Sequence, residues 1–373
     1  MPEGDLSQEA ERQLIVCNAC RYCEGYCAVF PALELRQTFT RGDITYLANL
    51  CHDCRACYYA CMYTPPHEFA VNIPKVLSEV RQASYRGYTW PPSFGGVFTT
   101  PRTTLWVAAA AVAAVAGLAV WLSGLTRLFG VHPEPGAFYQ VVPYWAMVAP
   151  GLVMFCWWLG VWVAGGVRFW RETARDGHAA PAPRALAVAV RDALSMRWLR
   201  GGGPGCAYPG ERPSRGRGIL HAFVFYGFLA ALASTALAAV YQDLLDRVPP
   251  YPLMSAPVVL GTLGGAAMLA GTAGMLIAKV RSDRAPAAEA MARMDYAFVV
   301  TLGLASMSGL LTLALRATHA MGLTLVVHLG VVAALFVTAP YGKFVHVVYR
   351  FLALVRYRLD GARRGDRAPS SHL

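Results

Sequence analysis

The fold is decided by two cysteine runs, Cys17-Asn-Ala-Cys20-Arg-Tyr-Cys23-Glu-Gly-Tyr-Cys27 and Cys51-His-Asp-Cys54-Arg-Ala-Cys57-Tyr-Tyr-Ala-Cys61. Both have the spacing C-x2-C-x2-C-x3-C, by which thiolates hold a [4Fe–4S] cluster. Three closely spaced thiolates can wrap three corners of one cluster, so the fourth ligand must come from elsewhere in the chain.

In two-cluster ferredoxins the last cysteine of each run binds the other cluster. The same exchange in this chain predicts two sets of four ligands, which we name the first and the second cysteine group. The first group is Cys17, Cys20, Cys23 and Cys61, and the second group is Cys51, Cys54, Cys57 and Cys27.

Disulfides and zinc are the alternatives to iron–sulfur clusters. A disulfide framework needs an oxidising compartment, and the polar residues 1–16 lack the apolar segment of a signal peptide. Zinc is the stronger rival, because eight cysteines could bind two tetrahedral ions. Zinc sites usually pair C-x2-C units across a longer spacer, whereas this sequence has two tight triplets, each with a trailing cysteine. The spacing therefore favours iron and sulfur.

The two runs form an internal repeat, because Pro31 and Pro65 follow them at the same offset that relates the cysteines. In the usual bacterial ferredoxin run the proline follows the last cysteine directly. Between the runs, the apolar residues of 32–50 recur with helical rather than alternating spacing. The pattern resembles the helical ferredoxin-like domain in the iron–sulfur subunits of succinate dehydrogenase and heterodisulfide reductase, and it predicts a mostly α-helical domain over residues 1–89.

The composition indicates a membrane protein rather than a nucleic-acid-binding one. The 373 residues are 56% hydrophobic and 15% charged, with a net charge of +11. A soluble domain has about a quarter charged residues, and the deficit lies almost wholly after residue 100. The arginines flank long apolar segments, which is typical of a cytoplasmic membrane face. We therefore expect lipid, and no nucleic acid, around this chain.

Six apolar segments follow a linker at residues 90–102 and predict a six-helix transmembrane bundle over residues 103–354. About 20 residues cross a hydrocarbon core of about 30 Å, and a soluble fold does not need six such runs as buried core helices. The segments are Thr103–Leu125, Tyr144–Val167, Ile219–Tyr241, Ala256–Val280, Tyr296–Leu315 and Leu323–Leu354. The last segment is longer than the others and predicts one continuous helix that extends out of the membrane.

Arginines are concentrated in the loop 168–218, near Lys279 and towards the basic tail 355–373, while the alternate loops hold few. The positive-inside rule then places both termini and the cysteine domain in the cytoplasm, with the spans in the bacterial inner membrane. Within the loop, residues 184–200 predict an amphipathic helix on the membrane surface. The glycines of 201–205 predict a hinge, and Cys156 and Cys206 are interpreted as packing residues.

Histidines inside apolar segments are functional candidates by default. His221 begins the third segment and His346 lies near the same end of the sixth, so their matching depth predicts one haem b held between two imidazoles. A hydrogen-bonded pair of core histidines is the alternative. His328 lies 18 residues before His346, about 27 Å along a continuous helix. It is therefore predicted to share a face with His346 and is a candidate ligand for a second haem, whereas His178 and His372 are expected in solvated loops.

The stretch from His328 to His346 resembles the last haem-binding helix of the γ subunit of respiratory nitrate reductase, including the spacing of the histidines. That family holds two haems through two histidines on an earlier helix. This sequence keeps His221 and has Ala231 where the second would fall, a difference that favours one haem.

The chain as a whole resembles the tricarballylate and citrate utilisation protein B family. Besides the cysteine runs and the six segments, the resemblance is carried by Gly205-Cys206-Ala-Tyr-Pro209 and His221-Ala-Phe-Val-Phe-Tyr-Gly227. It implies that the chain takes electrons from a cytoplasmic FAD-dependent tricarballylate dehydrogenase and passes them to quinone in the membrane.

The residues themselves indicate electron transfer through two clusters and haem b to a lipid-soluble quinone. No G-x-G-x-x-G follows a strand and opens a helix, so the flavin and the substrate chemistry are expected in a partner. Three alternatives stay open: an electron carrier for a different dehydrogenase or a disulfide reductase, a zinc-binding membrane sensor module, and a transport-coupled protein with regulatory clusters. The last needs polar residues along several spans, and these spans are nearly free of Asp, Glu and Lys.

Overall fold

The computed structural model describes residues 3–174, 182–200 and 205–367, and these are mostly helical. The predicted hinge at 201–204 and the histidines at 178 and 372 lie outside the described residues. The cysteine domain comprises α1 (Glu3–Cys20), α2 (Val29–Glu34), α3 (Arg41–Leu50), α4 (Ala56–Tyr59) and α5 (Ile73–Tyr88), and a 3-10 turn at Pro92–Phe94 follows it.

The second part of the chain contains the long apolar helices. Its helices are α6 (Pro101–Leu128), α7 (Ala137–Val141), α8 (Tyr144–Glu172), α9 (Pro183–Leu194), α10 (Gly216–Asp243), α11 (Ala256–Val280), α12 (Glu289–Ala314), α13 (Met321–Thr338) and α14 (His346–Arg367). Two short strands, β1 (Cys206–Ala207) and β2 (Pro213–Ser214), pair antiparallel, and 3-10 turns occupy Arg197–Arg200 and Lys343–Val345.

Among the described helices, α6, α8, α10, α11, α12 and α13 are long and apolar enough to cross a membrane. Their outward side chains are apolar, and Trp121 on α6 is 77% exposed. Such side chains face lipid in a membrane protein, because lipid tails solvate apolar groups. The predicted fold class, a helical cysteine domain followed by six candidate spans, is confirmed, and the six helices are compatible with a multi-pass membrane protein.

The cysteine domain is built around one apolar core. Its largest fully buried side chains come from four different segments and include Leu14, Leu33, Tyr46 and Leu77. Helix α3 begins with a capping box, in which the Thr40 hydroxyl accepts from the Asp43 N–H and the Asp43 carboxylate accepts from the Thr40 N–H. This core and its caps fix the helices that carry the cysteine runs.

Helices α10 and α11 approach each other closely at their glycines. A Cβ atom on Gly227 would lie 2.7 Å from the carbonyl oxygen of Gly264, and one on Gly264 would lie 2.8 Å from the carbonyl oxygen of Gly227. Small residues at a helix contact allow backbones to approach, which is a common way of packing helices in membranes. The contact fixes the position of α10, which carries His221.

The prediction of one continuous helix over Leu323–Leu354 is wrong. Helix α13 ends at Thr338, and α14 begins at His346 after an irregular segment. Pro340 explains the break, because proline has no N–H to donate and disfavours the helical conformation at the residue before it. His346 is therefore the first residue of a separate helix, and its predicted shared face with His328 does not exist.

Helix α14 runs back to the cysteine domain. The buried Arg36 guanidinium contacts the carboxylate of Asp43 at 2.8 Å and that of Asp360 on α14 at 3.0 Å. Residues 355–367, expected as part of a basic tail, continue this helix, and Val355 is fully buried. The ion pairs join the end of the chain to its N-terminal domain.

Helix α9 lies within the predicted amphipathic segment and packs against α14. Asp192 of α9 is buried and accepts a hydrogen bond from the Nε of Arg358 at 2.8 Å. The apolar side chains of Leu186, Val190 and Leu194 remain exposed. The helix is therefore amphipathic, with a polar contact to α14 and exposed apolar side chains. Its position on the membrane surface stays a prediction.

Candidate metal centres

The four members of the first cysteine group lie around one small cavity. Its wall contains Cys17, Cys20, Cys23 and Cys61, and Cys57 also contributes to it. Cys20 is exposed, and so are the neighbouring side chains of Tyr22 and Met62, at 61% and 64%. The structure therefore places the first group at the surface of the cysteine domain.

The four members of the second cysteine group line a second small cavity, deeper in the molecule. Cys27, Cys51 and Cys54 are buried there, and Cys57 completes the set. Cys57 borders both cavities, so the two groups are direct neighbours. Each cavity thus gathers three cysteines of one run and the last cysteine of the other.

The two runs share an unusual backbone conformation at the residue after their second cysteine. Arg21 and Arg55, which occupy this equivalent position, have φ angles of 55° and 64°. Residues other than glycine rarely adopt such angles. Backbone N–H groups nearby point to sulfur: the Asp53 N–H lies 3.4 Å from the Cys51 Sγ and the Tyr63 N–H lies 3.3 Å from the Cys61 Sγ. Hydrogen bonds of this kind are among the features that set the potential of a bound cluster.

Each of the two cavities offers the four thiols that a [4Fe–4S] cluster needs. Within the described ranges, no three His, Cys, Asp or Glu side chains converge as one metal ion requires, although four sulfurs surround each cavity. A tetrahedral zinc ion with Zn–S bonds of about 2.3 Å would draw its sulfurs to within about 4 Å of one another. Four thiols around one cavity supply one ligand for each iron of a [4Fe–4S] cube.

Burial keeps these thiols protonated unless a cation is bound. Burial raises the pKa of Cys17 and of Cys23 to about 12, and it raises the pKa of Cys27 well above its usual value. Neighbouring thiolates add to this effect by charge repulsion. The four thiols of each group lose their protons and become thiolates when they bind iron, so metal binding is coupled to folding.

A much larger cavity, of about 410 Å³, joins the cysteine domain to the apolar helices. His221 of α10 and His346 of α14 both line it, and so do Cys51 and His52 of the second cysteine run. Apolar side chains of Val224, Phe225, Phe228, Phe298 and Leu302 cover another part of its wall. A cavity of this size suits a cofactor, and we name it the histidine cavity.

The hydrogen bonds of the two histidines of this cavity differ. The Nδ1 atom of His346 lies 2.7 Å from the carbonyl oxygen of Lys343, which can only accept, so Nδ1 carries the proton and Nε2 is free. The Nδ1 of His221 is buried without a hydrogen-bond partner among the described residues. Two imidazoles that line one partly apolar cavity could bind the iron of a haem.

His328 lies apart from this pair. It does not line the histidine cavity; its Nδ1 makes a hydrogen bond of 3.1 Å with the Ser308 hydroxyl, and its ring packs against Gly309. The structure therefore brings His221 and His346 to one cavity and gives His328 a partner on α12.

Cys206, interpreted from the sequence as a packing residue, lies against the second cysteine group. It is fully buried and packs on Cys54, and its Sγ donates to the Leu199 carbonyl at 3.2 Å. A hydrogen bond from the Cys54 thiol to the Cys206 sulfur lowers the pKa of Cys206 to about 7. The neighbouring Tyr208 ring lies between the guanidinium groups of Arg55 and Arg217, at 4.8 and 4.9 Å. The stretch Gly205–Pro209 was singled out in the sequence for its family resemblance, but the sequence does not predict that Cys206 contacts Cys54.

A second loop holds the cysteine run from the other side. The Tyr59 hydroxyl donates to the Asp283 carboxylate at 2.8 Å, and the Arg55 guanidinium donates to the Asp283 carbonyl at 2.9 Å. Loops of the helical bundle therefore contact the second cysteine run, whose Cys51 and His52 also line the histidine cavity.

Comparison with known proteins identifies the family. The family model described as "Citrate utilization protein B" matches residues 98–367, and that of the "Citrate utilization protein B Fer4-like domain" matches residues 10–87. The chain belongs to the citrate utilization protein B family. Its similarity to the curated citrate utilization protein B of Escherichia coli is 42% identity over 364 residues, which covers 96% of this chain and 94% of that protein. No solved structure matches the chain.

Membership of the citrate utilization protein B family confirms the resemblance stated from the sequence. The Fer4-like domain with its clustered cysteines indicates iron–sulfur clusters and an electron-transfer role for the chain.

Proposed function

We propose that the chain accepts electrons from a flavoprotein dehydrogenase and delivers them to membrane quinone, with two [4Fe–4S] clusters and one haem b as its carriers. One observation carries the proposal: Cys51 and His52 of the second cysteine run line the same cavity as His221 and His346. The cavities that we propose for the clusters and for the haem therefore adjoin.

The sites form a series from the surface to the helical bundle. The first cysteine group lies at the surface, the second is buried beside it, and the histidine cavity lies between the second group and the apolar helices. Bound clusters and haem supply one-electron carriers, which divide the two electrons of a dehydrogenase into single steps. The chain contributes thiolates, imidazoles and the exclusion of water around them.

The partner is expected to dock where the first cysteine group reaches the surface. Ile15, Tyr22, Met62 and Phe69 are exposed apolar side chains of this region, at 52%, 61%, 64% and 41%. Grouped apolar side chains at a surface mark contacts with other proteins. We name these four residues the surface patch, and we propose that it receives the FAD-dependent tricarballylate dehydrogenase implied by the family resemblance.

Electron transfer from the flavoprotein to a short-chain quinone, with the purified chain as the only link, tests the function. Cys20→Ser removes one ligand of the first group, so we expect quinone reduction to fall to the rate without the chain while the flavoprotein still oxidises its substrate once. Cys156→Ser, in an exposed position on α8, is the matched control and should retain the full rate. Full quinone reduction by the Cys20 variant would show that electrons do not pass through the first group.

A further inference from the structure

Three arginines of the histidine cavity have no acidic partner. Arg81 of α5, Arg217 of α10 and Arg350 of α14 all line the cavity, and none forms an ion pair with another described residue. The cavity's lysines differ from them, because Lys279 and Lys343 contact the Asp295 carboxylate at 2.6 and 2.8 Å. The Asp192 carboxylate, the other acid in the wall, is engaged by Arg358.

The hydrogen bonds of these arginines leave most of their N–H groups available. The Arg81 Nε donates to the Ala48 carbonyl at 2.8 Å, while its Nη2 is buried without a partner among the described residues. Arg217 donates to the Asp53 carbonyl and Arg350 to the Leu50 carbonyl, each through Nη1. A guanidinium has five N–H donors, so the three side chains can hold a further acceptor.

Burying unpaired cations is costly unless an anion accompanies them. Arg81 is 6% exposed, and the neighbouring arginines and lysines raise the cost by repulsion. A guanidinium fork binds carboxylates with two parallel hydrogen bonds. The arginines therefore suit a ligand with anionic oxygens such as carboxylates, and the phenylalanines of the wall suit a ligand whose remainder is apolar.

We propose that Arg81, Arg217 and Arg350 bind the two propionate carboxylates of a haem whose iron is held by His221 and His346. The inference rests on the proposed function, because it needs a haem in this cavity. Arg217 lies one helical turn before His221 and Arg350 lies one turn after His346, so each histidine has an arginine on its own face. On both helices the arginine and the histidine are four residues apart. The arginines therefore form a charged side of the cavity next to the two histidines.

The charged side of the cavity is the one that adjoins the second cysteine group. Arg81 and Arg350 both interact electrostatically with Cys51, and Arg217 contacts the backbone of Asp53. The carboxylate edge of the haem is therefore bound on the side of the cysteine domain. A free tricarboxylate is the other source of carboxylates, but it would leave Phe225, Phe228 and Phe298 facing a polar ligand.

Haem binding by full-length protein tests the inference. The chain is produced without haem supply, purified in detergent, and titrated with haem and with haem dimethyl ester, whose carboxylates are blocked. We expect Arg350→Gln to weaken haem binding about ten- to hundredfold, since the loss of a hydrogen bond between charged groups lowers an affinity by about this factor. The wild-type chain should bind the dimethyl ester at least as weakly as the variant binds haem, because the ester blocks both carboxylates, and Arg350→Lys should recover part of the loss.

Three further measurements separate the possible failures. Iron and sulfide content shows whether each variant has folded, and Arg293→Gln, an exposed arginine near the start of α12, should bind haem like the wild type. If the wild-type chain binds no haem, the proposed function fails. If it binds haem and its dimethyl ester equally, or if Arg81→Gln and Arg350→Gln have no effect, the arginine assignment fails alone. Displacement of haem by millimolar citrate or tricarballylate would assign the arginines to a free tricarboxylate instead.

Discussion

At the scale of single residues, the structure explains what the cysteine spacing left open. The spacing predicted which cysteines belong together, because the ligand pattern is local within each run. It contained no information on Cys206, which reaches Cys54 from a loop of the helical bundle, or on the three arginines of the histidine cavity. Those contacts join residues that are far apart in the chain, so a single sequence read by spacing does not reveal them.

The contact between Cys206 and Cys54 makes a prediction about potential. The Cys206 Sγ donates to the Leu199 carbonyl at 3.2 Å in this structure, and with Cys54 bound to iron as a thiolate we expect this thiol to donate to the Cys54 sulfur instead, which raises the potential of a cluster. Cys206→Ala should therefore lower the midpoint potential of one cluster and leave iron and sulfide content unchanged. A redox titration followed by electron paramagnetic resonance measures this, with Cys156→Ala as the control. An unchanged potential in Cys206→Ala would rule out the hydrogen bond.

The three histidines are predicted to differ in their effect on haem. His221→Ala and His346→Ala should each lose the haem, since each removes one of two ligands, while the sulfide content stays at the wild-type level and the iron content falls only by the haem iron. His328→Ala should keep the haem, because His328 is bound to Ser308 and lies outside the histidine cavity. A pyridine haemochrome assay on the three variants measures this, and loss of haem in the His328 variant alone would contradict the account.

At the scale of elements, the length of the apolar segments located the long helices, because each segment is long enough to span a membrane. The error concerned the last segment, where apolar composition continued through Pro340 and concealed a break. Composition does not distinguish one long helix from two helices joined by an irregular turn, whereas a proline does. The break has a consequence for the site, because it makes His346 the first residue of α14 and separates it from His328.

The contact of α10 with α11 is predicted to be sensitive to a single methyl group. Gly227→Ala adds a Cβ within 2.7 Å of the backbone oxygen of Gly264, which forces the helices apart at a cost of about 1–3 kcal/mol. We expect a lower thermal stability in detergent and a reduced haem content. Gly151→Ala on α8, where a Cβ meets nothing within 4 Å, is the control. Equal stability of the two variants would contradict the close contact.

At the scale of the whole molecule, the cysteine domain and the helical bundle meet around the histidine cavity. Both parts were predictable from local patterns, but their junction was not. It depends on α14, which leaves the bundle and joins the cysteine domain through Arg36 and Asp360. The same junction brings arginines from α5, α10 and α14 to one cavity.

The surface patch is predicted to control the input of electrons alone. Met62→Glu should lower the rate of reduction by the flavoprotein about tenfold, since a carboxylate buried at an apolar contact without a partner costs about 1–3 kcal/mol or more. Reduction by dithionite should be unchanged, because a small reductant needs no docking surface. Met254→Glu, at an exposed apolar residue between α10 and α11 (89% exposed), is the control. Equal effects of Met62→Glu on both reductants would contradict docking at the patch.

The most direct test of the account is the visible absorption spectrum of the detergent-purified chain, before and after dithionite, with iron, sulfide and haem assays on the same sample. Two [4Fe–4S] clusters and one haem predict a broad band at about 400 nm, a sharp reduced band at about 560 nm, and about nine irons to eight sulfides to one haem. A brown protein without haem would remove the role of His221 and His346. A colourless protein that contains zinc would contradict electron transfer altogether.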